Sequence, residues 1–438
     1  MKVLKFGGTS VGSAVRIKDV AALVCDGEQK IIVLSAMSGT TNSLVEISDY
    51  FYKGNTSGAL ERINVLEQLY NKVVEELYTT DVYKSEAKVL IKSIFEYLRS
   101  FSKSIFTLFE EKSILAQGEL LSTKMFHTYL LEIEKNSILL PALDYMRIDK
   151  NGEPDTAFIA EKLTEQLANQ PDTTYYITQG YICRNFYGEI DNLQRGGSDY
   201  TASLVGAAIK AEEIQIWTDI DGMHNNDPRF VAGTQPVPLL NFDEAAELAY
   251  FGAKILHPTC ILPAKLNNIP VRLLNTLDPA AQGTLISVQS QKDKIQAVAA
   301  KDGITAIKIK SGRMLLAHGF LRKVFEIFES YQTSIDMITT SEVGVSVTID
   351  NNKKLDEIVN NLKKLGTVTV DTNMVIICVV GDLPSDNVGF QTKIVNAFKD
   401  IPLRMISYGG SDFNVSLLIK AEDKKRALVS LSETLFNN

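Results

Sequence analysis

Apolar and polar positions follow two regimes along the chain. In roughly the first 290 residues, short apolar runs alternate with longer stretches of helical spacing. Lys2-Val3-Leu4 and Lys30-Ile31-Ile32-Val33-Leu34 read as strands, the second apolar enough to be buried on both faces of a parallel sheet. Residues 11–24 repeat at helical spacing, and a helical pattern resumes at Leu44. Residues 57–135 are mostly helical in period, with Leu60, Ile63, Leu66, Leu69 and Val73 on one face and Val89, Ile91, Ile94, Phe95 and Leu98 on another. Further strands are expected over 174–183, 213–217 and 270–274, with an amphipathic helix over 242–249. The turn-rich Asp278–Thr284 stretch marks an exit, and the domain boundary is placed just beyond it.

From Ala297 the pattern changes and repeats. A helix over 319–331, the run Ile335 to Glu342 and a strand over 343–349 are matched by a helix over 389–398, the run Leu403 to Gly410 and a strand over 414–419. Met-Ile followed by a hydroxyl residue recurs at the same place in each unit. Helices over 354–365 and 423–435 close the units, so each reads as β-α-β-β-α-β.

Composition narrows the functional classes. The chain has 438 residues, which suggests two to four domains. Its formal charge of −8 argues against a general nucleic-acid surface. Cys25, Cys183, Cys260 and Cys378 form no C-x-x-C pair, which fits a reducing compartment and disfavours a structural zinc site. No signal region precedes the first strand, and the longest apolar runs are too short to span a bilayer. A cytoplasmic protein that binds neither nucleic acid nor membrane is expected.

The candidate chemistry sits at strand-to-helix junctions. Lys5-Phe6-Gly7-Gly8-Thr9-Ser10 joins a lysine, a glycine pair and two hydroxyls at a helix entry. Glycines permit close backbone approach, and helix N-termini attract anions. An ordinary glycine turn explains the hexapeptide equally well. A second junction, Ser35 to Asn42, is either a ligand loop or a helix start capped by Thr41 or Asn42. A third, Arg195-Gly196-Gly197-Ser198-Asp199, pairs a potential carboxylate clamp with an acid, or Ser198 and Asp199 are simple caps. Glu119 lies in an otherwise apolar helical stretch; it is either a solvated or capping residue or a buried partner for a cation. The loop after the 213–217 strand holds Asp219 as a purine or ribose contact and Arg229 as a phosphate contact. Its acidic spacing is not that of an EF-hand. Lys254 lies in an apolar surrounding.

Taken together, these motifs resemble the aspartate kinases over essentially the whole chain. The resemblance rests on Lys5 to Val11, the Ser35–Asn42 loop, Gly118-Glu119, Arg195 to Thr201, Trp217-Thr218-Asp219, Asp227-Pro228-Arg229 and Phe251-Gly252-Ala253-Lys254. It implies an α/β fold: an amino-acid-kinase αβα sandwich with a mostly parallel sheet over 1–290, followed by two ferredoxin-like (βαββαβ) ACT domains over 291–438. No homoserine dehydrogenase domain follows, so the monofunctional form is implied. The implied reaction transfers the γ-phosphoryl group of Mg2+-ATP to the β-carboxylate of L-aspartate, the first step of lysine, threonine and methionine biosynthesis.

The resemblance also implies roles. Lys5, Gly7 and Gly8 would hold the transferring phosphoryl group, and Asp199 would orient Lys5. Arg195, with Ser35 and Thr41, would clamp the aspartate α-carboxylate. Glu119 would take the α-ammonium, and Ser198 would contact the β-carboxylate. Thr218, Asp219, His224, Arg229 and Lys254 would hold the nucleotide, with no protein metal ligand. Members of the family often carry tyrosine where His224 stands. Met314, Leu321, Ser334, Ile335, Asp336, Thr340, Ser341 and Glu342 match a lysine-type effector site, with threonine the second choice of effector. Ala317 departs from a common serine there. ACT pairing across subunits implies a homodimer or larger assembly. Glutamate, acetylglutamate and uridylate kinases are the rival enzymes. A non-catalytic amino-acid sensor is the rival of another class, and the intact set of Lys5, Asp199 and Lys254 argues against it.

Overall fold

The computed structural model describes residues 1–438 except 104, 194–195, 253–255, 313–317, 385, 387 and 437–438. The chain divides into two compact units, residues 1–222 with 255–288 and residues 223–254 with 289–438. The crossing at 288 falls where the hydrophobic pattern changes. Segment 223–254, however, belongs with the second unit. The reason is local packing: Val231 lies in the apolar core that holds Val375 and Ile377, Asn225 O accepts from Val298 N at 2.9 Å, and Asn226 Nδ2 donates to Leu428 O at 2.9 Å.

The first unit is built on strands β1 (Lys2–Phe6), β2 (Lys30–Leu34), β3 (Ser137–Leu140), β4 (Tyr175–Gln179), β5 (Ile214–Thr218), β6 (Val271–Asn275) and β7 (Thr284–Ser287). Within this unit they lie in the order β3-β4-β2-β1-β5-β6-β7. All the pairings from β3 to β6 are parallel, and β7 runs antiparallel to β6. Every residue of β2 is buried, as its continuous apolar run requires when both faces are covered. The order reverses at β1: the chain moves outward to β2 on one side and later returns to β5 on the other.

Four details depart from the sequence reading. Leu69 and Val89 are exposed, because the buried stripe of the Thr56–Leu77 helix runs through Tyr70 and Val74 and that of Asp81–Ser100 through Ala87 and Ile91. The expected 174–183 strand is broken. Tyr181 adopts φ +67° and turns the chain into a separate hairpin, Ile182–Arg184 with Ile190–Asn192. The 270–274 strand is not the last of its unit, since β7 follows the turn. The fourth departure concerns the repeats.

The second unit is one antiparallel sheet of β8 (Ile295–Lys310), β9 (Ile338–Ser341), β10 (Gly344–Ile349), β11 (Thr367–Gly381), β12 (Met405–Ser407) and β13 (Asn414–Lys420). Its order is β9-β10-β8-β11-β13-β12. Strands β8 and β11 pair along their length, with register shifts between Lys301 and Ala306 that divide each into two halves. The first repeat uses the second half of β8, then β9, β10 and the first half of β11. The other uses the second half of β11, then β12 and β13, and ends on the Lys424–Leu435 helix. Its fourth strand is the first half of β8, which precedes everything else in the unit. The repeats are therefore interleaved. Each has its own core, one around Val324, Val347 and Ile358, the other around Ile394, Leu417 and Leu428.

Candidate active site

Lys5 stands near the carboxyl end of β1, opposite Val33 of β2 and Ile216 of β5. Its Nζ lies 2.7 Å from Asp199 Oδ1, and the two side chains are only 11% and 13% exposed. Beyond the strand, Gly7 N donates to Trp217 O at 3.3 Å and Gly8 O accepts from Ser38 N at 3.1 Å. A Cβ on Gly8 would lie 2.7 Å from Ala36 O, so only glycine lets the first and second loops touch. Parallel pairing gathers these loops at one edge of the sheet. The reversal of strand order at β1 opens the crevice where α/β proteins bind ligands.

Two helices begin at that crevice without side-chain caps. The Thr40–Tyr52 helix starts after Gly39 at φ +81°, and the Gly197–Ile209 helix after Gly196 at φ +75°. Neither N-cap makes a side-chain hydrogen bond. Ser13, Asn55, Asp155 and Asn241 cap other helices with side-chain hydrogen bonds, while the helices after Gly319 and Gly389 also begin without one. The capping roles open to Thr41, Asn42, Ser198 and Asp199 are thus not used, and Asp199 pairs with Lys5 instead. Uncapped N-termini leave amide donors and positive dipole ends for an anion.

Glu119 is in the first turn of the Gln117–Glu132 helix and is 4% exposed. Its Oε1 accepts from Ala36 N at 3.2 Å, while the buried Oε2 has no hydrogen-bond partner. Burial pushes its carboxyl up to about 8, against the smaller opposing pull of the Ala36 amide. A carboxylate held this way is short of one cation.

These groups line one cavity of about 560 Å³. The structure brings together Lys5, Gly8, Ser35, Thr41, Glu119, Ser198 and Asp199 on its wall. Gly7 abuts it, with its Cβ position 3.6 Å from Lys5 Nζ. Arg195 and Lys254 lie outside the described residues. Thr218 ends β5, next to β1, and Asp219 follows it; Thr218 Oγ1 donates to Asp219 Oδ1 at 3.2 Å. His224 and Arg229 are in the second unit. There His224 Nδ1 meets Thr234 Oγ1 at 2.9 Å, and Arg229 Nη2 pairs with Asp227 Oδ2 at 2.6 Å while remaining 71% exposed.

The amino acid kinase family pattern matches residues 1–275, and an ACT domain pattern matches residues 377–435. Lysine-sensitive aspartokinase 3 of Escherichia coli is 32% identical over 447 residues, covering 99% of each chain. The chain belongs to the aspartokinases. The crystal structure of E. coli aspartokinase III with aspartate and ADP matches at a TM-score of 0.85 and 31% identity, over 100% of both chains. The same enzyme with lysine and aspartate matches at 0.82 and 32%, again over 100% of both.

The residues expected to contact an effector in this aspartokinase fall into two groups. Leu321 is 37% exposed, and Ser334, Thr340, Ser341 and Glu342 are exposed, with Ile335 half-buried. Met314 lies outside the described residues, as does Ala317. Asp336 differs from the rest. Its side chain is 1% exposed and pairs with Lys301 at 2.7 Å, and it accepts from Tyr250 Oη at 2.7 Å. Lys301 also pairs with Asp350 at 2.9 Å. Its ammonium is held above the ordinary lysine range, because hydrogen bonds to Asp336 and Asp350 outweigh the downward pull of burial.

Sequence reasoning missed Tyr181 and gave no role to Met37, Ser38 or Leu193, which also line the site of this aspartokinase. A Cβ on Gly197 would meet the Tyr181 ring at 2.5 Å, and one on Gly180 would meet Ser198 Oγ at 2.5 Å. A glycine followed by an aromatic at the carboxyl end of a buried strand was the available signal for Tyr181. Its left-handed backbone and its seat against Gly197 were not readable from spacing.

Proposed function

We propose that this chain transfers the γ-phosphoryl group of ATP to the β-carboxylate of L-aspartate, giving ADP and 4-phospho-L-aspartate. The observation that carries the reading is the single cavity shared by the Lys5 ammonium, two uncapped helix N-termini and the unpartnered Glu119 oxygen. That set suits a zwitterion with a second carboxylate beside a polyphosphate. The E. coli relative has been crystallised with aspartate and ADP, which supports the assignment.

Each residue then has a task. Glu119 takes the α-ammonium, which supplies the missing partner of Oε2. Arg195, Ser35 and Thr41 hold the α-carboxylate, and Ser198 directs the β-carboxylate. Lys5, aimed by Asp199, and the amides of Gly7 and Gly8 receive the charge that builds on the phosphoryl oxygens. A carboxylate oxygen of aspartate forms a bond to the γ-phosphorus as the bond to the β,γ-bridging oxygen breaks, and ADP leaves with that electron pair. The attacking group is already ionised near neutral pH, so no general base is needed and catalysis is positioning plus charge stabilisation. Thr218, Asp219, His224, Arg229 and Lys254 are assigned to the nucleotide. Mg2+ would shield charge on the phosphates. Among the described residues no group of three His, Cys, Asp or Glu side chains could hold a metal ion.

Catalysis is assigned to residues 1–290 and regulation to 291–438. Lysine is the favoured effector and threonine the second, supported by the lysine complex of the E. coli relative. Glu342, exposed, is the carboxylate best placed to receive an incoming ammonium; Asp336 already has two partners. A homodimer through the ACT region is proposed, since β9 and β12 form the edges of that sheet. Among the described residues no helix is long and apolar enough to cross a membrane. A cytoplasmic setting in lysine and diaminopimelate biosynthesis accords with four free cysteines.

The test is an ATP-dependent assay that traps acyl phosphate as hydroxamate, comparing aspartate, glutamate and N-acetylglutamate with and without lysine or threonine. Turnover on aspartate alone, inhibited by lysine, is expected. Equal turnover on glutamate would overturn the substrate, and insensitivity to lysine would overturn the effector.

A further inference from the structure

Ser10 and Thr276 have no task in the reaction as assigned, yet their hydroxyls meet. Ser10 Oγ lies 2.7 Å from Thr276 Oγ1, across 266 positions of sequence. The two residues are buried, at 1% and 8% exposure, and neither lines the cavity.

The backbone around them explains what the contact joins. Ser10 closes the glycine-pair loop: its N donates to Gly7 O at 3.0 Å, while Gly7 N donates to Trp217 O at 3.3 Å. Thr276 directly follows β6. Its N donates to Thr218 O at 2.7 Å, beside the register pair of Thr218 with Asn275. A closed circuit results: Gly7 to Trp217, along the chain to Thr218, across to Thr276, then through the two hydroxyls to Ser10 and back to Gly7. Its other hydrogen bonds are made by backbone groups; the link from Thr276 to Ser10 is made by side chains. On one side of the circuit lie Lys5 and the Gly7 and Gly8 amides. On the other lies the Thr218-Asp219 turn.

We propose that Ser10 and Thr276 are positioning residues for phosphoryl transfer. Their hydrogen bond locks the groups that receive the phosphoryl charge to the turn assigned to the nucleotide, so that both hold one spacing while the γ-phosphorus changes partners. This rests on the transfer reading above and adds two residues to it. An apolar pair of the same shape would fill the space equally well. What the hydroxyls add is direction, since a hydrogen bond weakens steeply when it is bent. Transfer between two bound reactants is correspondingly sensitive, and a displacement of about 1 Å caused far from the reacting atoms can cost about a hundredfold in rate.

Ser10→Ala, Thr276→Val and the double variant test this, by hydroxamate trapping with ATP and aspartate varied in turn and by thermal unfolding. Each single change leaves a buried hydroxyl without its partner, so each should lower Tm and kcat together. The double change removes both hydroxyls and should restore most of the lost Tm. Its kcat should nevertheless stay down by about tenfold or more, with the KM for aspartate changed by less than about twofold. Thr276→Ser keeps the hydroxyl and should retain kcat within about twofold. A double variant whose kcat recovers along with its stability would show that the pair only fills the core, and would overturn the proposal. So would a Thr276→Ser variant as slow as Thr276→Val. Unaltered enzyme that gave no aspartate-dependent turnover would overturn the transfer reading itself, a result distinct from either of these.

Discussion

The Lys5 site and the Lys301 cluster are built from the same materials and finished in opposite ways. Both place a lysine against an aspartate at 2.7 Å with little exposure. Around Lys5 the protein withholds partners: two helix N-termini lack side-chain caps, and one oxygen of a buried glutamate has nothing to bond. Around Lys301 it supplies them, with two carboxylates and the face of Tyr250. Unmet polar capacity in a buried site costs stability and is useful only if a ligand meets it. Asp336 Oδ2 is likewise without a hydrogen-bond partner, but the Lys301 ammonium is paired twice, which strengthens the fold and leaves that cation little to gain from a ligand.

Exchanging the two lysines for uncharged residues should therefore separate turnover from stability. Lys5→Ala should lower kcat by about a thousandfold, the scale seen when a single transition-state donor is lost, with the folded state retained because Asp199 can hydrate through the open cavity. Lys301→Met should act the other way. Leaving Asp336 buried without its cation should cost about 3–5 kcal/mol, read from denaturant unfolding, while kcat changes only a few-fold. Equal losses of turnover in both variants would dissolve the contrast.

The second measurement concerns protons. In the free enzyme the Glu119 carboxyl sits at about 8, raised by burial, so it is mainly neutral at pH 7. Aspartate needs the ionised form, and its binding should release a proton there and tighten as pH rises from 6 to about 8. Calorimetry in buffers of different ionisation enthalpy reads this directly. The sign for stability is opposite. With the folded value above the unfolded one, this group's contribution is complete below about pH 4.5 and is lost as pH rises through about 8. Glu119→Gln should abolish both pH effects and raise the KM for aspartate about 10–100-fold, as expected for losing a charge-assisted hydrogen bond.

A smaller effect is expected from crowding the site's frame. Gly180→Ala would press a methyl group against Ser198. An overpacking cost of about 1–3 kcal/mol and a rise in the aspartate KM that exceeds the fall in kcat should follow. A variant with unchanged stability and KM would show that Ser198 is not positioned by this contact.

How much of this was legible depended on the range of the interaction involved. The glycine pairs at Gly7-Gly8 and Gly196-Gly197, the parallel strands, the apolar helix faces and the two Met-Ile repeats are local patterns, and local periodicity reports them. Leu69 and Val89 were misread because a shift of one residue around a helix turns a side chain from core to solvent. The rupture of the 174–183 strand at Tyr181 was hidden because positive φ in a tyrosine is enforced by neighbours, here the Gly197 helix entry against its ring.

The sequence by itself determined that two strand–glycine–helix junctions carry a lysine and an aspartate, that Glu119 is anomalous in its helix, and that an α/β unit is followed by a repeat. Only the tertiary structure decided that Lys5 reaches Asp199, that Glu119 is one partner short, that segment 223–254 packs with the second unit, and that the repeats exchange halves of β8 and β11. Side-chain type and spacing are encoded residue by residue. Which carboxylate is paired, and which is left waiting, depends on distances between segments far apart in the chain, and these exist only once the sheet has set its strand order.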